Sequence, residues 1–513
     1  MKRLPIGIET FEKIINDNHV YIDKTEIAYR LITGGEYYFL SRPRRFGKSL
    51  FVDTLQEIFE GNKDLFKGLY IYNKYDWNKK HPVIKISFGG GSVQSVENLD
   101  KKIIHILEQN QEQLGIECKK TDQVNICFSD LIFRAYKKYG EKVVILIDEY
   151  DKPILDSIDK REAASQIRDE LKNFYSVIKD NDRYIRFAFL TGVSKFSKVS
   201  LFSGLNNLED ITLDSRYSTI CGYTQYDVEE SFRDYLVDVD LSKLKRWYNG
   251  YSWQGEGVYN PFDILLFLSQ GKQYKNYWFE TATPTFLVKL LREKNFYLPD
   301  LENLEVDDDD MGSFDIDMIK PETLLFQTGY LTIKKVDTIF ESLTYTLTYP
   351  NKEVKKSLNN SLFTHFTEIE ERKKIPLYKA LKDNDFDRQK ELLFSLFASI
   401  VYDNFTKNKI YKKEGYYSSV IYAYFASLGL DLIPEDTTNK GRIDLTMKFP
   451  GESKAYIYEF KVIEDAGDNK KPLDQIKDRG YPDKYLSLEE LFIIGIEFSK
   501  KERNISTFQW EKV

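Results

Sequence analysis

Three cysteines, four histidines and four methionines in 513 residues leave little material for sulfur or imidazole chemistry. Cys118, Cys127 and Cys221 form no CxxC pair and no His joins them at zinc spacing. A disulfide framework and a structural zinc module are therefore excluded, and a reducing compartment is expected. Long apolar runs are missing too: none approaches the ~18 residues that a membrane helix needs. The opening Met1-Lys2-Arg3-Leu4-Pro5 leads into mixed polar sequence without an apolar signal region, so the expectation is a cytoplasmic protein that does not engage a membrane. Nor is there an excess of positive charge. Lys and Arg number 74 against 81 Asp and Glu, a net charge of −7, so any nucleic-acid binding must come from local basic groups. No internal repeat stands out. With 42% hydrophobic residues, 36 Tyr and 35 Phe, the chain has ample material for sizeable cores, and its length implies roughly two to four domains. Two polar breaks interrupt it. The stretch 300–317, with Asp307-Asp308-Asp309-Asp310, reads as a solvated acidic loop, and 351–360 reads as the start of a linker.

What is present begins with a spacing. Gly441-Arg442-Ile443-Asp444 is followed, after fourteen residues, by Glu459-Phe460-Lys461. Read as antiparallel strands over 443–449 and 454–462, joined by Pro450-Gly451-Glu452-Ser453, the hairpin sets Phe449 against Lys454 and, counting back, Asp444 against Glu459. Opposed residues lie about 4.5–5.5 Å apart at Cβ, and like charges there destabilise a sheet. Side chains alternate between faces, so Lys461 joins Glu459, while Ile443, Leu445 and Met447 meet Phe460, Tyr458 and Tyr456 on the packing face. A carboxylate pair at that spacing repels itself unless a cation lies between, and a hard ion, Mg²⁺ or Mn²⁺, is the natural occupant. The chemistry that uses such a set is metal-dependent phosphodiester hydrolysis, with Asp444 and Glu459 holding the ion and Lys461 positioning or deprotonating the attacking species. An exposed hairpin with scattered charges is the plainer reading of the pattern taken alone.

The N-terminal half reads as a nucleotide site. A short apolar strand over 37–40 runs into Ser41-Arg42-Pro43-Arg44-Arg45-Phe46-Gly47-Lys48-Ser49, and an amphipathic helix follows. Strand, loop ending in Gly-Lys-Ser, then helix is the context of a phosphate-binding loop. In that reading the loop Arg45-Phe46-Gly47 wraps the phosphates, Lys48 reaches the β- and γ-phosphates and Ser49 holds Mg²⁺. Arg42 stands where the motif has its first Gly. The run Val143-Val144-Ile145-Leu146-Ile147-Asp148-Glu149 predicts a strand buried on both faces and ending in acids at the sheet's carboxyl edge. Asp148 then shares the ion with Ser49, Glu149 orients the attacking water, and Asp151 reads as the start of a turn. A strand over 184–190 brings Thr191 to the same edge, as a γ-phosphate sensor or simply a turn residue. With strands near 81–88 and 211–213 this is an α/β sandwich with a mainly parallel sheet.

Beyond it, 226–236 and 241–248 read as helices of a lid, with Trp247, Tyr248, Tyr251 and Trp253 as core rather than base-stacking residues. A helix over 323–327 followed by strands over 330–335 and 342–349 suits a winged-helix-like module, a plain packing domain being the alternative. Arg42, Arg44 and Arg45 are candidates for contacts to phosphate, or for a finger reaching a neighbouring subunit, which leaves a homo-oligomer open.

With an apolar run upstream of the hairpin and a polar helix and a strand over 491–496 after it, the C-terminal segment resembles the PD-(D/E)xK nuclease superfamily, with Asp444, Glu459 and Lys461 in the motif positions. The resemblance implies two more residues. Glu414, in Lys412-Lys413-Glu414-Gly415, takes the place of the helix acid that helps hold metal, and Gln475 that of the glutamine lining the site. Where a His is expected after the helix acid, the chain has Ser418 and Ser419.

Leu4-Pro5-Ile6-Gly7-Ile8, Tyr21-Ile22-Asp23-Lys24-Thr25, the 42–49 loop, the 146–153 segment, Phe202-Ser203-Gly204-Leu205-Asn206-Asn207, Trp247-Tyr248-Asn249-Gly250-Tyr251 and Gln327-Thr328-Gly329-Tyr330-Leu331 together resemble the AAA-ATPase-like family. Its members often carry a C-terminal nuclease domain of that superfamily, and in it the RPRRFGKS form of the loop is usual. The resemblance implies an ATPase core over 1–215, a helical lid with the winged-helix-like region over 216–350, a linker over 351–380 and a nuclease domain over 381–513. It further implies ATP and Mg²⁺ as cofactors, Mn²⁺ serving at the nuclease site, and nucleic acid as partner, DNA before RNA. The expected function is ATP-controlled, metal-dependent nucleic-acid cleavage. The alternative is a regulatory NTPase switch whose nuclease-like domain binds nucleic acid or a partner without cutting.

Overall fold

In the computed structural model, which describes residues 1–118, 123–195, 201, 205, 207–281, 285–294, 296–312, 319–339, 341–367, 374–400, 414–464 and 471–513, the chain divides into two compact units. One comprises Met1–Trp278 with Glu305–Thr346, the other Phe279–Leu304 with Leu347–Val513. The stretch 351–380, expected as a linker, carries helices Lys352–Thr367 and Lys374–Lys382 of the second unit. Part of the expected lid, 279–304, also belongs to that unit. Most of the Phe202–Asn207 motif lies outside the described residues, as do Lys412 and Lys413. Among the described residues no helix is long and apolar enough to cross a membrane.

The first unit is built on five parallel strands: β1 (Tyr37–Ser41), β2 (Val83–Ser87), β3 (Val143–Asp148), β4 (Ile185–Gly192) and β5 (Glu209–Asp210), in the order β2-β3-β4-β1-β5. All six residues of β3 are buried, as its unbroken run of β-branched and apolar side chains requires of a strand covered on both faces. Helices Lys48–Phe59, Val96–Leu114 and Val124–Tyr139 pack on the sheet. Trp247 and Tyr248 sit, as expected, in an apolar core, with Phe232, Leu244, Tyr259 and Phe267 and with Val20 and Ile22 from the chain's start. Helix Pro321–Gln327 precedes β7 (Thr332–Ile339) and β8 (Ser342–Thr348), which form a three-stranded sheet, order β6-β8-β7, with β6 (Leu304–Asp307). The acidic stretch is thus more than a loop: residues 304–312 form β6 and a short helix, Asp308–Gly312, whose N-terminal dipole tolerates the aspartates.

The second unit holds β9 (Asp431–Thr438), β10 (Gly441–Lys448), β11 (Lys454–Ile463), β12 (Glu490–Ser499) and β13 (Asn504–Lys512), in the order β13-β12-β11-β10-β9. β11 and β12 run parallel and every other neighbouring pair antiparallel. A parallel pair needs a crossover, and here it contains helix Pro472–Asp478, which packs on β11 and β12. Helix Glu414–Ser427 is buried from Tyr416 to Ser427 and packs against Lys352–Thr367. The hairpin is therefore not a surface element with one wet face. Ala455 and Ile457, on the side expected to be polar, pack with Leu473, Ile476, Leu491 and Ile493 in a cluster that also takes Ile443.

Candidate active sites

The loop over 42–47, expected to bind phosphate, joins β1 to helix Lys48–Phe59. Gly47, just before the helix, adopts φ +93, a left-handed value that suits glycine; Arg45 is left-handed as well, at φ 67. The buried Lys48 ammonium donates to the carbonyls of Arg42 (3.0 Å) and Pro43 (2.9 Å), so the loop's own oxygens offset a charge that burial would otherwise penalise. Ser49 follows it, half-buried, in the first turn.

The Arg42 guanidinium is turned to the chain's own carbonyls. Fully buried, it donates to those of Ser41 (2.8 Å), Thr212 (2.9 Å) and Tyr217 (3.2 Å), and lies 4.1 Å from the centre of the Trp253 ring. Burial draws its pKa down to about 10. It is a tie between the loop and the segments that follow β4, which is why a long side chain replaces the motif's first Gly. The Phe46 ring is equally committed, edge-on to Tyr251 (4.7 Å) and Trp253 (5.5 Å), so that only its backbone remains for a ligand. Burying a ring of that size is worth about 2–3 kcal/mol, ample to anchor a loop. Trp278 Nε1 adds a hydrogen bond to the Arg44 carbonyl (3.1 Å). Arg44 and Arg45 stay exposed, Arg45 5.1 Å from the centre of the Phe262 ring.

At the sheet's carboxyl edge, β4 lies between β1 and β3, so Thr191 comes between the loop and Asp148. Asp148 is 5% exposed and Thr191 0%, yet among the described residues Asp148 Oδ1 and Thr191 Oγ1 have no hydrogen-bond partner. Glu149 is left-handed at φ 55, and its carboxyl is pushed up by burial and then by the charge of Asp148, against the pull of Lys48 and Arg44. Asp151, read from sequence as the start of a turn, does more. Fully buried, it accepts hydrogen bonds from the N–H groups of Val193 (3.1 Å) and Ser194 (2.6 Å) and from the Ser194 hydroxyl, tying the end of β3 to the end of β4. Two buried polar atoms without partners, beside a buried lysine and a helix N-terminus, fit a phosphate-bound cation.

In the second unit the register of β10 on β11 runs Leu445 to Tyr458, Thr446 to Ile457, Met447 to Tyr456 and Lys448 to Ala455, the count that sets Asp444 opposite Glu459. The ladder stops one residue short of that pair. Asp444 Oδ2 instead accepts the Phe460 N–H at 2.7 Å, so the side chain takes the hydrogen bond that strand pairing would have used. Glu459 is 3% exposed; Gln475 Nε2 donates to its Oε1, and its Oε2 has no partner among the described residues. Both carboxyls are pushed well above the ordinary carboxylate range, in each case first by burial. Asp444 is raised further by the charges of Glu414 and Glu435, Glu459 by those of Asp444 and Glu414. Lys461 is half-buried two residues along the strand, in register with Glu497. Glu414 begins its helix with its carboxyl near the Val462 N–H, raised by loss of water and by Glu435, and lowered by Lys461.

As the side chains stand, no three Asp, Glu, His or Cys among the described residues converge closely enough to hold an ion. One oxygen each of Asp444 and Glu459 is turned to the chain's own donors. The donor set nonetheless fits a hard cation, because a buried glutamate oxygen without a partner, beside a second strained carboxyl, is what an ion would relieve. The contrast with Asp436 is instructive. Equally buried, it receives Thr446 Oγ1 (2.7 Å), Lys484 Nζ and Tyr485 OH, and is fully satisfied by protein.

Sequence reasoning missed Glu435 and Tyr297. Glu435 lies on β9, whose Pro434 argues against a strand from sequence alone; Tyr297 belongs to the 279–304 segment that only the fold assigns to this unit.

Residues 5–202 match the family described as predicted AAA-ATPase, and residues 412–508 match the PD-(D/E)XK nuclease superfamily. A protein of Azotobacter chroococcum mcd 1, described as "Uncharacterized protein in vnfD 5'region", is 50% identical over 519 residues, covering all of this chain and 99% of that protein. The chain belongs to the AAA-ATPase-like family, with a PD-(D/E)XK nuclease-superfamily domain at its C-terminus.

Proposed function

We propose that the protein is an ATP-controlled, divalent-cation-dependent nuclease whose substrate is nucleic acid, DNA before RNA. The observation that carries the reading is the Glu459 oxygen left without a partner beside Asp444, in a strand pair that opens at that residue. Asp444 and Glu459 would hold the ion, with Glu414 at the edge of its shell. A bound Mg²⁺ or Mn²⁺ supplies a more acidic water and offsets charge on the phosphoryl group. Gln475, donating to Glu459 Oε1, fixes that carboxylate's orientation and keeps its own carbonyl for water or substrate. Lys461 shares the face of Glu459 and positions the attacking water or receives its proton.

In the first unit the loop N–H groups and Lys48 would bind the phosphates of ATP, Ser49 and Asp148 its cation, and Glu149 would orient the attacking water with Thr191 beside the γ-phosphate. The raised carboxyl of Glu149 suits a group that must accept a proton during hydrolysis. Nucleotide occupancy would then set whether the nuclease site is open to substrate.

The test is cleavage of single- and double-stranded DNA and RNA with Mg²⁺ or Mn²⁺, with and without ATP, by wild type and Asp444→Asn. Cleavage by the wild type alone supports the reading, and its ATP dependence gives the sign of the coupling. No cleavage by a preparation that still binds ATP refutes it. That outcome would favour a second reading, a regulatory switch in which the nuclease-like domain binds without cutting. The hydrogen bonds that occupy Asp444 Oδ2 and Glu459 Oε1 support that alternative.

A further inference from the structure

The segment Gln327-Thr328-Gly329-Tyr330-Leu331 closes helix Pro321–Gln327 and turns at Gly329, which is left-handed at φ +88. A Cβ at Gly329 would fall 2.8 Å from Pro43 Cβ and Cγ, so the turn is seated directly on the loop over 42–47. The same Pro43 gives its carbonyl to Lys48 Nζ at 2.9 Å. Tyr330 extends the contact: its ring lies 5.4 Å from that of Trp278, which donates to the Arg44 carbonyl.

From the end of its helix the Gln327 side chain reaches the carboxyl edge of the parallel sheet. Its Oε1 accepts the Lys195 N–H at 2.7 Å, just past the end of β4. The intervening Val193 and Ser194 donate their N–H groups to Asp151, and Arg42 N donates to the Gly192 carbonyl at 3.1 Å. Lys195 is thereby held beside the strand ends that carry Thr191 and Asp148. A backbone N–H can only donate, so the amide has one orientation: its oxygen faces Lys195 and its nitrogen remains a donor. That nitrogen is buried, in a residue 4% exposed, and has no partner among the described residues. A buried donor left without an acceptor costs about 1–3 kcal/mol, which a ligand in reach of it would recover.

Resting on the reading of the loop, Lys48 and Asp148 as the nucleotide site, we propose that Gln327 Nε2 donates to the terminal phosphate of bound ATP. In that reading the terminal phosphate lies between Lys48 and Thr191. Gln327 spans the same two walls, touching Pro43 through Gly329 and the end of β4 through Lys195. A phosphate oxygen is the acceptor that the buried amide lacks, and ADP, one phosphate shorter, leaves it unmet. Gln327 thus distinguishes ATP from ADP.

The test is the affinity of the full chain for a fluorescent, non-hydrolysable ATP analogue and for the matching ADP analogue, in wild type, Gln327→Glu, Gln327→Met and Lys48→Ala. Gln327→Glu keeps the oxygen that Lys195 needs and loses the donor; Gln327→Met, of similar size, loses both and adds no charge. The expected result is at least about tenfold weaker binding of the ATP analogue in both Gln327 variants, the loss of one charge-assisted hydrogen bond, with the ADP analogue within about twofold of wild type. Thermal melting without nucleotide shows whether each variant folds, and Gln327→Leu replaces Gln327→Met if that variant does not. An unchanged ratio of the two affinities in either Gln327 variant overturns the proposal, whether binding of both analogues is kept or lost together. Lys48→Ala that still loses both analogues then leaves the nucleotide site standing. A wild type that binds neither analogue overturns both readings.

Discussion

Replacing Glu459 by Gln keeps the shape of the side chain and an oxygen for Gln475 to donate to, and removes only the charge. In the absence of metal that charge is a liability: Glu459 is buried, its Oε2 has no partner and Asp444 stands beside it. Its proton affinity in the folded chain is raised, while an unfolded glutamate titrates near ~4.3. Between those two pH values the folded chain binds a proton that the unfolded chain has released, so stability falls as pH rises, and the loss is complete once the folded carboxyl ionises. One retained proton over two pH units amounts to about 2.7 kcal/mol. For a domain of this size that is about 5–10 °C in Tm.

Glu459→Gln in EDTA should therefore melt higher than wild type at pH 7, with the gap shrinking as pH falls to 5 and closing near 4. Adding Mg²⁺ should close the gap at pH 7. An ion at a hundred times its Kd stabilises the wild type by about 2.7 kcal/mol, and the variant gains little. Differential scanning calorimetry of the full chain in EDTA and in Mg²⁺ at several pH values gives all four quantities. A variant that melts lower than wild type in EDTA, or a gap that ignores pH, would mean that protein donors satisfy the Glu459 carboxylate after all, and would refute the argument for a cation there.

Two further outcomes bear on the other elements. Lys48→Ala should weaken binding of a fluorescent ATP analogue at least about a hundredfold, since a single charge-assisted phosphate contact in a buried site is worth about 3 kcal/mol; unchanged affinity would remove the loop from the nucleotide site. In Gly495→Ala the new Cβ would fall 2.5 Å from Leu473 N, forcing helix Pro472–Asp478 and its Gln475 outward. Overpacking of this kind costs about 1–3 kcal/mol, and cleavage should drop by more than the loss of folded protein accounts for, compared at a temperature where circular dichroism shows both proteins native.

Much of this was legible because two strong periodic signals carry it. The apolar run ending at Asp148 can only be a strand covered on both faces, and the hairpin register follows from the four-residue turn between Phe449 and Lys454 by counting. What the count could not supply was the behaviour of the ladder at Asp444. A strand pattern assumes that backbone pairs with backbone, and here a carboxylate takes the Phe460 N–H, so that Ile443 joins the cluster of Ala455 and Ile457 instead of following Leu445 and Met447. Arg42 was misread for a related reason. A loop arginine beside Gly-Lys-Ser suggests phosphate, whereas its acceptors, the carbonyls of Thr212 and Tyr217, lie more than a hundred residues away in sequence. Long-range acceptors of that kind leave no local pattern.

In both halves the acids proposed to hold a cation differ in one respect from other buried acids. Asp151 and Asp436 are buried carboxylates with every direction occupied, by Val193, Ser194, Thr446, Lys484 and Tyr485, and such groups stabilise the fold through the donors they satisfy. Asp148 and Glu459 are 5% and 3% exposed, and each keeps an oxygen without a partner among the described residues. An unpartnered buried oxygen costs stability that a chain could recover with one serine or asparagine nearby. In the proposed reading, a ligand supplies that partner at the carboxyl edge of one sheet and beside Asp444 in the other, and binding of nucleotide or of a divalent cation should stabilise each unit accordingly.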